Sequence, residues 1–192
     1  NDFFGNTAGF LVFDLPGLSQ RGGHTKAYNN YLHDNNLNNF AKAGSFGTSW
    51  GVGNAAPGSG IIILATSDVE LYNNRIINNN SSAISIASGL TVDDKAMEKI
   101  NATYFPISRN ISIHDNIMEM GQSFPKEAYT HHMGQMLVGV EQKLAQLDPS
   151  RKNTRIPFIL YDGVTTNIMN NGTVPNPDSI CIRQTGTNLF VN

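Results

Sequence analysis

A short segment that repeats along the chain constrains the fold more than any other feature of the sequence. Residues 25–30 (TKAYNN), 69–74 (VELYNN) and 111–116 (ISIHDN) share one pattern of side chains, and each ends in asparagine. Residues 166–169 (TNIM) and 187–190 (TNLF) continue the series. Such a repeat predicts stacked copies of one unit, because a single copy is too small to bury its own apolar face.

A second set of apolar segments accompanies the asparagines, at residues 9–13 (GFLVF), 60–64 (GIIIL), 83–86 (AISI), 156–161 (IPFILY) and 180–183 (ICIR). Each segment has the length and composition of a β-strand. Hairpin signals such as Asn171-Gly172 are scarce, and 21 residues separate Asn167 from Asn188, the length of one three-stranded coil. The sequence therefore predicts an all-β right-handed parallel β-helix, or solenoid, formed by a single domain over residues 1–192.

Loop and short helical insertions interrupt the predicted coils at residues 41–59, 91–107 and 122–155. The segment from Thr91 resembles a capping box and predicts a short helix over residues 93–100. A second, amphipathic helix is predicted from Met133, with Met136, Leu137, Val140, Leu144 and Leu147 on its apolar face. We expect the second helix to pack on the flank of the solenoid, with a partner helix or a membrane surface as the alternative.

The abundance of asparagine is explained by the same repeat. The chain has 24 asparagines and 18 glycines, while 15% of its residues are charged. Stacked coils place equivalent residues ~4.8 Å apart, so their amide groups can bond to one another and to the turn backbone. We therefore predict a structural ladder, rather than a ligand site, formed by Asn30, Asn74, Asn116, Asn167 and Asn188.

Alternation along the repeated strands predicts which side chains face solvent. If Ala27, Leu71 and Ile113 point inward, the residues on either side of them point outward. An exposed row of aromatic rings beside charged side chains is typical of β-helices that hold a sugar chain, and cross-coil stacking that protects the sheet is the structural alternative. The candidate ligand-binding residues are Tyr28, Tyr72, His114 and Glu70.

The same face offers a set of groups for catalysis. Lyases and epimerases that act on acidic polysaccharides need a base, a proton donor and a cation that neutralises the carboxylate of the sugar. His114, Tyr72 and Lys26 are the candidates for these catalytic roles, although they come from three coils. No cluster of Asp and Glu has the several oxygen ligands that calcium requires, so no cofactor is predicted unless the chain is lyase-like.

Two further patterns were weighed as sites. Asp68, Asp115 and Asp162 lie near corresponding coil positions, where paired carboxylates would hydrolyse a glycan, but each also suits a turn. His131 and His132 are a weak metal signal, because adjacent side chains point apart. Whether the chain is an enzyme stays open, and no metal site is predicted.

Charge and cysteine usage exclude several classes of partner. The net charge is −2 with no block of like charge, which argues against nucleic acid. No apolar run approaches the ~20 residues of a membrane span. Haem attachment is excluded by the absence of a Cys-x-x-Cys-His motif, and Cys181 is predicted to be a buried thiol within an apolar strand.

Several strings in the chain resemble a bacterial family of right-handed parallel β-helix repeat proteins: residues 9–18 (GFLVFDLPGL), 35–41 (NNLNNFA), 57–61 (PGSGI) and 178–183 (DSICIR). The family implies export to the periplasm or the extracellular space and genetic pairing with a c-type-cytochrome-like protein, with no settled activity. The chain resembles the C-terminal half of such proteins, so we expect it to be part of a longer protein.

The expected function is that of an exported scaffold that presents a flat surface to a glycan or protein partner. The alternative is a polysaccharide lyase or epimerase acting on acidic polysaccharide, for which calcium would be the cofactor. An assembly role is a third possibility, because the open ends of a solenoid expose strand edges.

Overall fold

The computed structural model describes residues 1–41, 53, 55–121, 139, 142, 146, 158–169, 171–173, 177–184 and 190–191. Within these ranges the protein is all-β. The strands are β1 Asp2–Phe4, β2 Ala8–Phe13, β3 Thr25–Tyr28, β4 Tyr31–His33, β5 Ser59–Leu64, β6 Ser67–Tyr72, β7 Arg75–Asn79, β8 Ser82–Ala87, β9 Arg109–His114, β10 Ile117–Met120, β11 Ile159–Tyr161, β12 Ile180–Arg183 and β13 Phe190–Val191.

The strands form three parallel sheets. Sheet A has the order β1-β4-β7-β10, sheet B the order β2-β5-β8-β11-β13, and sheet C the order β3-β6-β9-β12. From β1 to β12 the chain visits sheets A, B and C in cyclic order, so each passage of three strands pairs with the passage before it. We call each passage a coil, with coil 1 formed by β1–β3 and coil 4 by β10–β12.

The corners between the sheets differ in length. Only two residues separate a strand of sheet C from the next strand of sheet A in coils 1 to 3, as between Tyr28 and Tyr31 or between Tyr72 and Arg75. The long connections all leave the other two corners, for example residues 34–58 from sheet A to sheet B and residues 88–108 from sheet B to sheet C. The corner from sheet C to sheet A is therefore the regular one.

The core lies between the three sheets. Leu71 and Ile113 of sheet C are fully buried and pack with Ile61 and Ile63 of sheet B and Ile76 of sheet A. Ala27, Leu71 and Ile113 pair in register across β3, β6 and β9, which confirms the inward row predicted from the repeat. Burying each isoleucine or leucine contributes about 1.5–3 kcal/mol before the entropy of ordering the chain is counted.

The helix predicted over residues 93–100 is wrong. Ala96–Lys99 forms a short 3-10 turn within this segment, and a second 3-10 turn, Gly89–Thr91, precedes it. The carboxylate of Asp93 accepts a hydrogen bond from the backbone N–H of Lys95 (3.0 Å), as an N-cap side chain does, but the turn does not continue as an α-helix. Of the amphipathic helix predicted from Met133, the structure describes Gly139, Gln142 and Gln146, which are helical and exposed. The apolar positions of that helix and the pair His131-His132 lie outside the described residues.

The prediction of a buried thiol at Cys181 is also wrong, since its side chain is exposed. Residues 180–183 alternate in burial, and β12 pairs with β9 so that Cys181 lies beside Ser112 on the outer face of sheet C. The apolar string ICIR therefore belongs to sheet C, whereas the other apolar segments of the second set contribute strands to sheet B. None of the helical segments that the structure describes is long and apolar enough to cross a membrane.

Candidate functional site

A column of asparagines occupies the corner from sheet C to sheet A. Asn30 Nδ2 donates to Asn74 Oδ1 (2.9 Å), and Asn74 Nδ2 donates to Asn116 Oδ1 (2.9 Å). The backbone N–H groups of Asn30 and Asn74 donate to the same oxygens at 3.1 and 3.0 Å. Asn74 is completely buried, so these bonds satisfy polar groups that water does not reach.

The next position of this column is a glutamine rather than an asparagine. The backbone N–H and the Nδ2 of Asn116 donate to Gln184 Oε1 at 2.9 and 3.0 Å, and Gln184 Nε2 returns a bond to the Asn116 carbonyl (2.8 Å). Asn167, which the sequence placed in the ladder, lies instead in the 3-10 turn Thr166–Ile168. The pairing of β12 with β9 ends with Arg183 beside His114, so Gln184 directly follows the last paired residue. Asn188 lies outside the described residues.

A second column, which sequence reasoning missed, occupies the corner from sheet A to sheet B. The side chain of Asn6 donates to Asn35 Oδ1 (3.1 Å), and that of Asn35 donates to Asn79 Oδ1 (3.2 Å). A signal for it exists in the sequence, because each of these asparagines follows a residue that tolerates the left-handed conformation. The preceding residues have φ values of 64°, 52° and 54° and are Gly5, Asp34 and Asn78.

The aromatic row predicted on the outer face of sheet C is present as a stack. The ring centroids of Tyr28 and Tyr72 are 4.9 Å apart with planes 9° apart, and those of Tyr72 and His114 are 5.3 Å apart with planes 2° apart. The rings therefore cover one another's faces and present their edges outward. The two end rings of the row, Tyr28 and His114, each keep one face that the row does not cover, and Tyr28 at the coil 1 end is 49% exposed.

Charged groups next to this row are joined through Glu70. Lys26 Nζ lies 2.9 Å from Glu70 Oε2, and His114 Nε2 lies 3.4 Å from Glu70 Oε1. The other ring nitrogen of His114 lies 2.7 Å from Asp115 Oδ2. All four side chains belong to sheet C or to the turn that follows it, so the repeat brings them together from three coils.

These contacts shift protonation in a consistent direction. The hydrogen bond to Asp115 raises the pKa of His114, with Glu70 adding to the shift and partial burial opposing it. The bond from Lys26, followed by that from His114, holds the pKa of the Glu70 carboxyl below its usual value. Glu70 in turn raises the pKa of Lys26. The face thus favours the ammonium form of Lys26 and the carboxylate form of Glu70, and it favours the protonated form of His114 more than water does.

This electrostatic arrangement bears on the catalytic roles considered for His114, Tyr72 and Lys26. The structure places the three side chains on one face, as the lyase hypothesis requires. An imidazolium, however, donates a proton rather than accepting one, and Lys26 is already paired with Glu70. The arrangement fits the binding of hydroxyl and anionic groups better than the abstraction of a proton.

Of the three candidate hydrolytic acids, Asp115 and Asp162 lie in the connections after β9 and β11, and Asp68 is the second residue of β6. The Asp162 carboxylate accepts hydrogen bonds from the Ser88 N–H (2.6 Å) and the Thr91 hydroxyl (2.8 Å). Asp68 and Asp115 stand at opposite ends of the sheet C strands, one before Val69 and the other after His114. Among the residues that the structure describes, no group of three or more His, Cys, Asp or Glu side chains could hold a metal ion.

A comparable stack on sheet A provides an internal reference. His33 lies between Phe4 and Tyr31, with centroid distances of 5.2 and 4.1 Å. Its ring nitrogens lie 3.1 Å from Asp2 and 2.7 Å from Asp34, much as His114 lies between Glu70 and Asp115. Stacked rings beside acids therefore recur on this scaffold, and a role in ligand binding needs a test that separates the two faces. Comparisons with protein-family models, with curated proteins and with solved structures find no match.

Proposed function

We propose that the chain is part of a right-handed parallel β-helix whose outer face on sheet C binds an acidic glycan without transforming it. The β-helix proposal is supported by the cyclic order of the three parallel sheets. Right-handedness rests on the strong preference of connections between parallel strands for that hand. A single domain over residues 1–192, belonging to a longer protein, remains a prediction.

The observation that carries the binding proposal is the uninterrupted row on sheet C. Tyr28, Tyr72 and His114 repeat at the spacing of the coils, with ring edges rather than faces toward solvent. The tyrosine edges carry phenol hydroxyl groups, which hydrogen-bond to sugar hydroxyl groups. Both ring nitrogens of His114 already face Asp115 and Glu70, so His114 contributes by packing on Tyr72. Glu70 and Asp115 balance the charges of Lys26 and of a protonated His114, so the preference for an acidic glycan rests on Lys26, whose side chain is 67% exposed beside the Tyr28 end of the row.

The cellular setting is proposed from the family resemblance alone. That resemblance implies a periplasmic or extracellular protein, with a c-type-cytochrome-like protein as a possible partner encoded nearby. A protein partner on the same face would use the same hydrogen-bonding groups. The experiment below therefore separates glycan from protein by offering glycans alone.

The test is retention of the purified chain on immobilised polygalacturonate, alginate and neutral glucan, with calcium present and absent. We expect retention on the acidic glycans, and we expect a His114→Ala variant to lose it. The matched control is His33→Ala, which removes the same ring from the sheet A stack and should retain the glycan. Equal retention by both variants, or none by the wild type, contradicts the proposal.

The same samples report on the lyase alternative. Cleavage by a lyase leaves an unsaturated sugar, which is followed by its ultraviolet absorbance. Product that forms with the wild type and is lost in His114→Ala would replace the binding proposal with the lyase. Retention without product would support the scaffold.

A further inference from the structure

A polar cleft lies at the corner where sheet B leads into sheet C, away from the stacked row. Its volume is about 440 Å³. It is formed by residues just before β3 and β12 and by the first two residues of β6 and β9, so all four coils contribute to it. The side chains that matter below are those of Arg21, His24, Asp68, Arg109, Asn110 and Asp178.

The backbone repeats one unusual conformation along this cleft. In each coil, the residue before the first inward-facing residue of the sheet C strand has a positive φ value. These residues are His24 (53°), Asp68 (59°), Asn110 (51°) and Ser179 (52°). Strand pairing places them side by side across the coils. Asp, Asn and His are enriched in this left-handed region, whereas Ser seldom adopts it. The corner is thus a groove of constant shape that runs along the stack.

The two acids of the cleft are already bonded within the protein. Asp68 accepts a hydrogen bond from the Asn110 side chain and another from the Ser67 hydroxyl (2.9 Å), and these bonds hold the pKa of its carboxyl below its usual value. Asp178 is 3% exposed, and its Oδ2 accepts a bond from the Thr166 N–H (2.8 Å). Both carboxylates keep their charge, and Arg109 contributes to the lowered pKa of Asp68, but neither acid forms an ion pair with Arg21 or Arg109 in the described part of the chain.

The arginines are differently placed. Within the described ranges, neither Arg21 nor Arg109 forms an ion pair. The guanidinium carbon of Arg109 lies 4.3 Å from the centroid of the Phe105 ring, a contact that orients the group over an aromatic face. A planar guanidinium donates two parallel hydrogen bonds to an oxyanion, and a fixed one loses less freedom when it does so.

We propose that this cleft binds the oxyanion of a small ligand between Arg21 and Arg109, with a sugar carboxylate as the favoured group. His24 and the Asn110 amide stand beside it to contact neighbouring hydroxyl groups. A phosphate ester presents the same chemistry to the two arginines. This site does not depend on the binding proposed for the outer face of sheet C, because none of its arginines belongs to that row.

The experiment is calorimetric titration of the chain with glucuronate, inorganic phosphate and glucose. We expect glucuronate to bind in the millimolar range or tighter and glucose not to bind. Arg109→Gln and Arg21→Gln should each weaken binding about tenfold or more, because each removes a charged donor pair. Arg75→Gln is the matched control, since Arg75 lies over the Tyr31 ring on sheet A and should leave binding unchanged.

Each outcome is decisive. Tighter binding of phosphate than of glucuronate, lost in both cleft variants, supports the oxyanion site and identifies phosphate as its group. No binding of either anion, or binding by the cleft variants that equals that of the wild type, overturns the proposal. Arg21 is exposed, so Arg21→Gln remains informative if Arg109→Gln fails to fold. His114→Ala should bind the anions normally, which separates this site from the outer face of sheet C.

Discussion

Replacement of Asn74 by alanine tests whether the asparagine column at the corner from sheet C to sheet A holds the coils together. Asn74 Oδ1 accepts bonds from the backbone and side chain of Asn30, and its Nδ2 donates to the Ala27 carbonyl (2.9 Å). Alanine would leave these three polar groups without their partner at a buried position. Its own backbone N–H would still reach Asn116 Oδ1.

The expected loss follows from the cost of stranding buried polar groups. Each unsatisfied group costs about 1–3 kcal/mol. Partial relaxation of the neighbouring coils brings the total to roughly 3–5 kcal/mol, a large share of the ~5–15 kcal/mol by which folded domains are stable. Urea unfolding followed by circular dichroism measures the change as a lower midpoint.

The matched control is Asn1→Ala at the exposed end of the same column. Asn1 Nδ2 donates to Asn30 Oδ1 (2.8 Å), but water replaces this bond at the surface, so the expected cost is about 1 kcal/mol or less. The reasoning fails if Asn74→Ala and Asn1→Ala lower the free energy of unfolding by similar amounts. In that case the column would be a consequence of stacking rather than a cause of stability.

Three further predictions concern packing and charge. Gly60→Ala should lower the thermal midpoint sharply and the free energy of unfolding by more than about 2 kcal/mol, because an added Cβ would press on the Ala83 carbonyl oxygen and the Ile76 side chain. A midpoint like that of the wild type would contradict the packing of β5 on β8. Because the pKa of His114 is raised in the folded protein, its stabilising contacts are complete below the usual value of 6.5 and are lost as pH rises through the folded pKa. We therefore expect the free energy of unfolding to fall across that pH window, and to fall less in a His114→Gln variant. Urea midpoints measured against pH report this difference. The pH dependence at Glu70 runs the other way: because its pKa is lowered, its contribution to stability is lost only as pH falls through the folded pKa. If nuclear magnetic resonance shows the Glu70 carboxyl titrating at its usual pKa, that result contradicts the ion pair with Lys26.

The strands of the repeat could be predicted from sequence because their pattern is local. Alternation in residues 25–28 and 69–72 specifies which side chain faces the core, and the structure has the same inward row. Asn167 and Cys181 were misplaced because a short string such as TN or ICIR has the right composition for more than one position in a coil. The pairing of β12 with β9 decides between those positions. A local sequence pattern does not specify which distant segments pair.

The candidate sites divide in the same way. Alternation predicted that Tyr28, Tyr72 and His114 share a face, but it carries no information on side-chain torsions, so it did not reveal that the rings cover one another's faces. The cleft at the start of sheet C combines Arg21, from the connection between β2 and β3, with Arg109, the first residue of β9. No spacing in the sequence links these residues, because the lengths of the intervening loops are unrelated to the repeat.

The two-residue turns from sheet C to sheet A also determine where this chain can change length. An extra residue between Tyr72 and Arg75 would shift β7 by one position and exchange its buried and exposed sides, since side chains alternate along a strand. The connections at residues 34–58 and 88–108 already differ in length from their counterparts in other coils while the strand register is kept. Insertions and deletions, whether natural or engineered, are therefore tolerated at the corners from sheet A to sheet B and from sheet B to sheet C. The corner from sheet C to sheet A keeps a fixed length, because it sets the register of each coil.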